Sequence, residues 1–96
     1  MWQVLQSRRF EKKLRKEDPE AARRILRDLA VLKEDPLQGK AVMDERARKI
    51  NLRYIDVAGV YRVFYRMEDK RVLLEFYHKR ETCYEEIRRF LESLKL

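Results

Sequence analysis

Two runs of strand-forming residues, Val60-Tyr61-Arg62-Val63-Phe64-Tyr65-Arg66-Met67 and Arg71-Val72-Leu73-Leu74-Glu75-Phe76-Tyr77-His78, are separated only by Glu68-Asp69-Lys70. A polar connection this short leaves no room for a crossover, so the runs must pair as an antiparallel hairpin. Upstream, Arg48-Lys49-Ile50-Asn51-Leu52-Arg53-Tyr54 alternates in the same way, and a turn containing Asp56, Ala58 and Gly59 joins it to the hairpin. An antiparallel meander is the expectation. Side chains alternate between faces along a strand. Ile50, Leu52 and Tyr54 are therefore predicted opposite Lys49, Asn51 and Arg53. In the next strand, Tyr61, Val63 and Tyr65 share one side, and Arg62, Phe64 and Arg66 the other.

The flanking segments read as helices around a first strand. Trp2-Gln3-Val4-Leu5-Gln6 is rich in strand formers, and Ser7 stands where a helix N-cap belongs. Phe10 and Leu14 then make an apolar stripe, and the helix should end near Lys16 or Glu17. Asp18-Pro19 supplies a cap and a first-turn proline for a second helix striped by Ala22, Ile25, Leu26, Leu29 and Leu32. Joined so closely, the two should pack as an antiparallel hairpin. From Asp35-Pro36 through Gly39 to Glu45 no period emerges, which reads as a loop. Thr82-Cys83-Tyr84-Glu85 fits a capping box opening a last helix with Ile87, Phe90, Leu91 and Leu94. The predicted order is strand, helix, helix, strand, strand, strand, helix. It gives an α+β fold, one domain over residues 1–96, with helices covering one face of an antiparallel sheet and the other face partly free.

Charge narrows the partners. Lys and Arg number 24 against 17 Asp and Glu, a formal net charge of +7, so the long-range field attracts polyanions. No apolar run approaches the roughly 20 residues a spanning helix needs, so no membrane partner is expected. The single cysteine, Cys83, cannot close an intramolecular disulfide, and no charged and apolar leader precedes the first folded segment, so the cytoplasm is the expected compartment.

The informative cluster is basic. Lys49, Arg53, Arg62 and Arg66 are predicted on one side of adjacent strands, with Arg80 arriving from the end of the last strand beside His78 and Lys79. Arginine keeps its charge and presents a planar fork of donors that matches phosphate oxygens. Taken singly, Arg53 or Arg66 reads as a solvated strand residue. Arg62, flanked by Tyr61, Val63, Phe64 and Tyr65, must be partly buried and needs a partner. His78 is a candidate base or a hydrogen-bonding edge residue, and Tyr84 projects toward the basic face or anchors the last helix. Cys83 has no second thiol or paired histidine at metal spacing, and no glycine-rich phosphate loop occurs, so neither metal nor cofactor is expected.

Gly59-Val60-Tyr61-Arg62-Val63-Phe64-Tyr65, a polar turn, an apolar strand, Lys79-Arg80-Glu81 and Tyr84 together resemble the RelE/ParE toxin superfamily. Trp2-Gln3-Val4, Phe10 with Lys12-Lys13-Leu14, the leucine-striped helix and Asp35-Pro36 with Gly39 extend the likeness over nearly the whole chain. The resemblance implies a microbial ribonuclease fold and a toxin neutralised by a cognate antitoxin that wraps over sheet and helices, possible oligomers forming through that antitoxin. RelE-like members cleave messenger RNA on the ribosome, a 2′-hydroxyl attacking the adjacent phosphate. By that resemblance Arg62 stabilises the transition-state charge, Arg80 assists the phosphate or leaving group, Tyr84 stacks on or orients the substrate, and Lys49 is the first basic position of the preceding strand. Asn51 replaces a second basic residue, a lysine, so either His78 or Lys49 must supply the base or cleavage is weak. ParE-like members share the scaffold and poison DNA gyrase, and an inactive basic module that only binds is the remaining alternative.

Overall fold

The computed structural model describes residues 1–94. A strand β1 (Gln3–Gln6) leads through Ser7 into α1 (Arg8–Arg15), and the Ser7 side chain accepts the Phe10 amide as a cap. Asp18 caps α2 (Pro19–Leu29) through the Ala21 amide, and a 3₁₀ turn, Ala30–Lys33, continues that helix. A second 3₁₀ turn, Pro36–Gln38, precedes a short strand β2 (Lys40–Ala41) and a helix α3 (Glu45–Lys49). The meander follows as β3 (Leu52–Val57), β4 (Tyr61–Glu68) and β5 (Arg71–Lys79), then a 3₁₀ turn, Arg80–Thr82, and α4 (Tyr84–Ser93). The α+β order holds as predicted.

Several details differ from the sequence reading, three of them in the sheet, its cover and the last helix. The sheet has five strands in the order β1-β5-β4-β3-β2, and β1 runs parallel to β5, so it is antiparallel only from β5 to β2. The α1–α2 hairpin makes this possible, because it carries the chain from β1 across the sheet before the meander begins. Second, helices cover both faces. Phe10, Ile25, Leu29 and Leu32 pack with Val63, Tyr65, Val72, Leu74 and Tyr77 on one side. Phe90 and Leu91 of α4 pack with Leu52, Phe64, Phe76 and Cys83 on the other. The Phe64 and Phe76 rings stack across the ladder at 4.5 Å, and the Phe90 ring lies 4.9 Å from Phe76. Third, the capping box does not form. Cys83 is the N-cap of α4 without a side-chain hydrogen bond, while Thr82 Oγ1 lies 3.2 Å from His78 Nδ1 and Glu85 pairs with Arg88.

A β-bulge explains how β5 serves both cores. Phe64 pairs with Phe76 but Tyr65 pairs with Leu74, leaving Glu75 unmatched. The extra residue lets Leu74 and Tyr77 join the α1–α2 core while Phe76 faces α4. Ser7 Oγ donates to the Glu75 carbonyl, so the cap of α1 also fastens the bulge.

The segment before β3 is also organised. Asp44 accepts from the Arg46 and Ala47 amides, and Ala47 is buried, which turns Glu45–Lys49 into helix rather than loop and strand. Asn51, at φ 55°, ends it in the left-handed region that asparagine tolerates better than most residues. The predicted strand over Arg48–Asn51 is therefore corrected to helix and turn. Gly39 is held between the sheet and Tyr65, whose hydroxyl accepts the Gly39 amide at 3.1 Å and donates to the Pro36 carbonyl at 2.5 Å. A Cβ there would sit 2.4 Å from the Tyr54 carbonyl oxygen and 2.5 Å from Tyr65 Oη. Gly39→Ala is expected to destabilise the fold by about 1–3 kcal/mol in urea denaturation. An unchanged midpoint would mean the loop does not close on Tyr65.

Candidate phosphate site on the α4 face

The β3–β4 register puts Asp56 directly across the ladder from Arg62, and Arg62 directly across from His78 on β5. Arg62 Nε donates to Asp56 Oδ1 at 2.7 Å and its terminal nitrogen donates to Oδ2 at 3.3 Å, a bidentate fork. Arg80 Nη1 lies 3.6 Å from the same Oδ2. Two guanidinium groups thus meet at one carboxylate. The Arg62 side chain is 23% exposed, Arg80 50% and Asp56 38%, so the meeting point opens to solvent. The Arg62 guanidinium also lies over the Tyr54 ring, 4.2 Å from its centroid, which fixes the plane of the fork.

Arg62 also lines a cleft of about 420 Å³, walled by Tyr54, Arg62 and Phe64 from the sheet and by Tyr84, Ile87, Arg88 and Leu91 from α4. Met43 and Arg46 close it on the α3 side. Tyr84 is 82% exposed and Met43 80%, so both offer apolar surface to a flat ligand. A smaller hollow of about 110 Å³ adjoins it, lined by Gly39, Lys40, Tyr54, Asp56 and Arg62. The arrangement suits a phosphate at the guanidinium pair with an aromatic group along α4.

Only part of the predicted cluster converges. Arg62 meets Arg80 at Asp56 and shares the cleft with Tyr84, whereas Arg80 lies outside the cleft lining, beside Gly59 and Val60. Arg53 is corrected: it pairs with Tyr65, faces the α1–α2 side, and donates to the Gly39 carbonyl at 2.6 Å and the Leu37 carbonyl at 3.4 Å. The cause is register, since a residue adjacent to Tyr54 must face away from it. Arg66 shares the Arg62 face but is ion-paired to Glu75 of the bulge. Lys79 pairs with Tyr61, whose ring packs on the α1–α2 core, so it too leaves the cluster. Lys49 ends α3, exposed, and Asn51 occupies the following turn; neither lines the cleft. His78 stays beside Arg62, with Nδ1 near Thr82 Oγ1 and Nε2 3.9 Å from Glu86 Oε1. Cys83 is buried and donates to the Arg80 carbonyl, a packing role. Among the described residues no group of His, Cys, Asp and Glu is arranged to hold a metal ion. No helix among them is long and apolar enough to cross a membrane.

The sequence reading missed Asp56, Tyr54, Arg46 and Arg88. For Arg88 a signal existed: Tyr84, Ile87, Arg88 and Leu91 follow helical spacing and share one face of α4. Asp56 read as a turn residue because the strand extends farther than its alternation suggested.

No protein-family model and no curated protein matches the sequence. Solved structures match the fold. A chain of the RelBE2 toxin–antitoxin complex from Mycobacterium tuberculosis aligns at 24% identity over 82% of this chain and 91% of that one, TM-score 0.68. The isolated E. coli RelE toxin aligns at 19% over 94% and 99%, TM-score 0.65. The ParDE system of P. aeruginosa aligns at 14% over 82% and 96%, TM-score 0.64. The chain has the fold of the RelE/ParE toxins.

The hydrogen bonds from Arg62 hold the Asp56 carboxyl below the usual aspartate range, with the charges of Arg62 and Arg80 adding to the effect and burial opposing it. A depressed folded-state value means that the ion pair's contribution to stability is complete above about pH 4 and is lost as pH falls through that depressed value. Carboxyl-detected NMR should give Asp56 a midpoint below the ordinary range that rises in Arg62→Ala. A midpoint indifferent to Arg62→Ala would dissolve the pair.

Proposed function

We propose that this chain is the toxin of a toxin–antitoxin pair and acts as an endoribonuclease of the RelE type on messenger RNA at the ribosome, in the cytoplasm. The observation that carries this reading is the meeting of Arg62 and Arg80 at one anion-sized point, with Arg62 also lining a cleft flanked by the exposed Tyr84 ring. The shared RelE fold supports it, as does the net charge of +7.

In this mechanism the scissile phosphate takes the Arg62 fork and the Arg80 guanidinium. The 2′-hydroxyl of the preceding nucleotide attacks phosphorus, its proton leaves to a base, and the P–O5′ bond breaks, the departing 5′-oxygen taking a proton from water and leaving a 2′,3′-cyclic phosphate. Charge grows on the non-bridging oxygens in the transition state, where two fixed guanidinium groups act most strongly. Tyr84 stacks on a neighbouring base, and Arg46 and Arg88 guide the flanking backbone. His78 is the base this reading assigns, because it lies directly across the ladder from Arg62. Asp56 is a poor base, since the hydrogen bonds from Arg62 lower the affinity of its carboxylate for a proton. An antitoxin would neutralise the toxin by covering this face with acidic and apolar groups.

A second reading, a ParE-like gyrase poison, draws on the comparable likeness to the ParDE structure. The two separate in one pair of assays. Under the ribonuclease reading, induced expression arrests growth with new RNA ends inside translated codons, and supercoiling by gyrase is unaffected. Arg62→Ala should lower cleavage by about two to three powers of ten while still unfolding in one cooperative transition. Tyr84→Ala should raise KM by about tenfold through lost stacking. Cleavage unchanged in Arg62→Ala would end the assignment, and inhibited supercoiling without RNA ends would favour the second reading.

A further inference from the structure

The carboxylate at the centre of the site is itself an anion, and it uses the donors that a phosphate requires. Arg62 has one edge, Nε with a terminal nitrogen, that binds two oxygens at once, and both contacts on that edge go to Asp56. Arg80 is drawn to the second oxygen of the same carboxylate. A phosphodiester placed on this fork would have to share it with a like charge a few ångströms away, an arrangement that costs binding energy.

We infer that Asp56 is a built-in competitor for the phosphate seat: its carboxylate holds the Arg62 fork and the approach of Arg80, and an anionic ligand binds only as Asp56 releases them. This rests on the reading of the Arg62 and Arg80 pair as a phosphate site. Several features of the local structure allow the exchange. Asp56 stands one residue from the end of β3, next to the turn through Ala58 and Gly59, where the backbone is already in the left-handed region. Its side chain is part-exposed, and the hollow it lines also holds Lys40, a second cation to receive the released carboxylate. Arg62 keeps its seat on the Tyr54 ring when the carboxylate leaves, so the fork stays aimed. The pair therefore does two things: it orders both guanidinium groups in advance, and it sets a threshold that weak anions do not cross.

The test is a binding measurement with a six-nucleotide 2′-O-methyl oligoribonucleotide, which has no free 2′-hydroxyl to react, titrated at fixed salt against four proteins. Asp56→Asn keeps size and hydrogen-bonding capacity without the charge, and it should bind at least about fivefold more tightly than wild type. Asp69→Asn makes the same charge change in the β4–β5 turn and should shift affinity less than about twofold, which accounts for the general field. Arg62→Ala should bind more weakly than wild type. If Asp56→Asn binds no more tightly than wild type, or no more tightly than Asp69→Asn, the competitor role is overturned even though Arg62→Ala loses affinity. If Arg62→Ala binds as wild type does, the phosphate seat and the competitor fall together. Should Asp56→Asn fail to fold, the wild-type protein decides. Saturation with the same oligonucleotide should raise the NMR midpoint of the Asp56 carboxyl toward the ordinary aspartate range, and an unmoved midpoint at saturation overturns the inference.

Discussion

Leu52 pairs with Arg66 at one end of the β3–β4 ladder and Val57 pairs with Tyr61 at the other, which leaves Asp56 facing Arg62. A slip of one residue would send Asp56 to the opposite face and bring Ile55 or Val57 in its place. Register is held from both sides. Leu52 and Tyr54 pack with Phe64 against α4, while Val57 packs with Val63 beneath α1 and α2. The site is a consequence of where two apolar faces must go, and its charged residues take the positions that remain.

The two cores are not independent. The bulge at Glu75 allows β5 to give Leu74 and Tyr77 to one core and Phe76 to the other. The same residue ties down Arg66, so that a cation on the functional face has a partner and stays out of the cleft. On the α1–α2 side, Lys13 donates to the Tyr77 carbonyl and lies over the Tyr77 ring, and burial lowers the pKa of its ammonium. Tyr61 donates to Glu17, and burial pushes the Tyr77 hydroxyl well above its ordinary range. Polar groups on that side are spent on holding helices to the sheet, whereas those on the α4 side reach solvent.

Helix α4 gives the site its second wall. Its apolar stripe reaches the sheet through Phe90 against Phe76, and its first turn carries Tyr84 outward past the edge of that contact. The absence of a side-chain cap on α4 is offset by the preceding 3₁₀ turn, in which Arg80 is fixed by its amide donating to the Val60 carbonyl. Arg80 is thereby tied to the β3–β4 turn as well as to its own strand, which brings it to Asp56.

From residues alone, the hairpin, the capped helical pair and the amphipathic last helix were legible, because each depends on local spacing and short connections: Ser7 and Asp18 cap as their types suggest, and Glu68-Asp69-Lys70 is too short to do anything but turn. Arg62, Arg80 and Tyr84 could be singled out for the same reason, each being a charged or aromatic residue at a point where strand or helix patterning made it conspicuous. Tertiary structure decided the rest. Whether Arg48–Asn51 becomes strand or helix turned on burial of Ala47 and on a left-handed Asn51, and whether Arg53 joins Arg62 turned on pairing with a strand distant in sequence. The face taken by α4, the bulge at Glu75 and the meeting of two arginines on Asp56 are relations between segments. Alternation within a single strand is blind to them, because it fixes which residues lie together but not what they lie against.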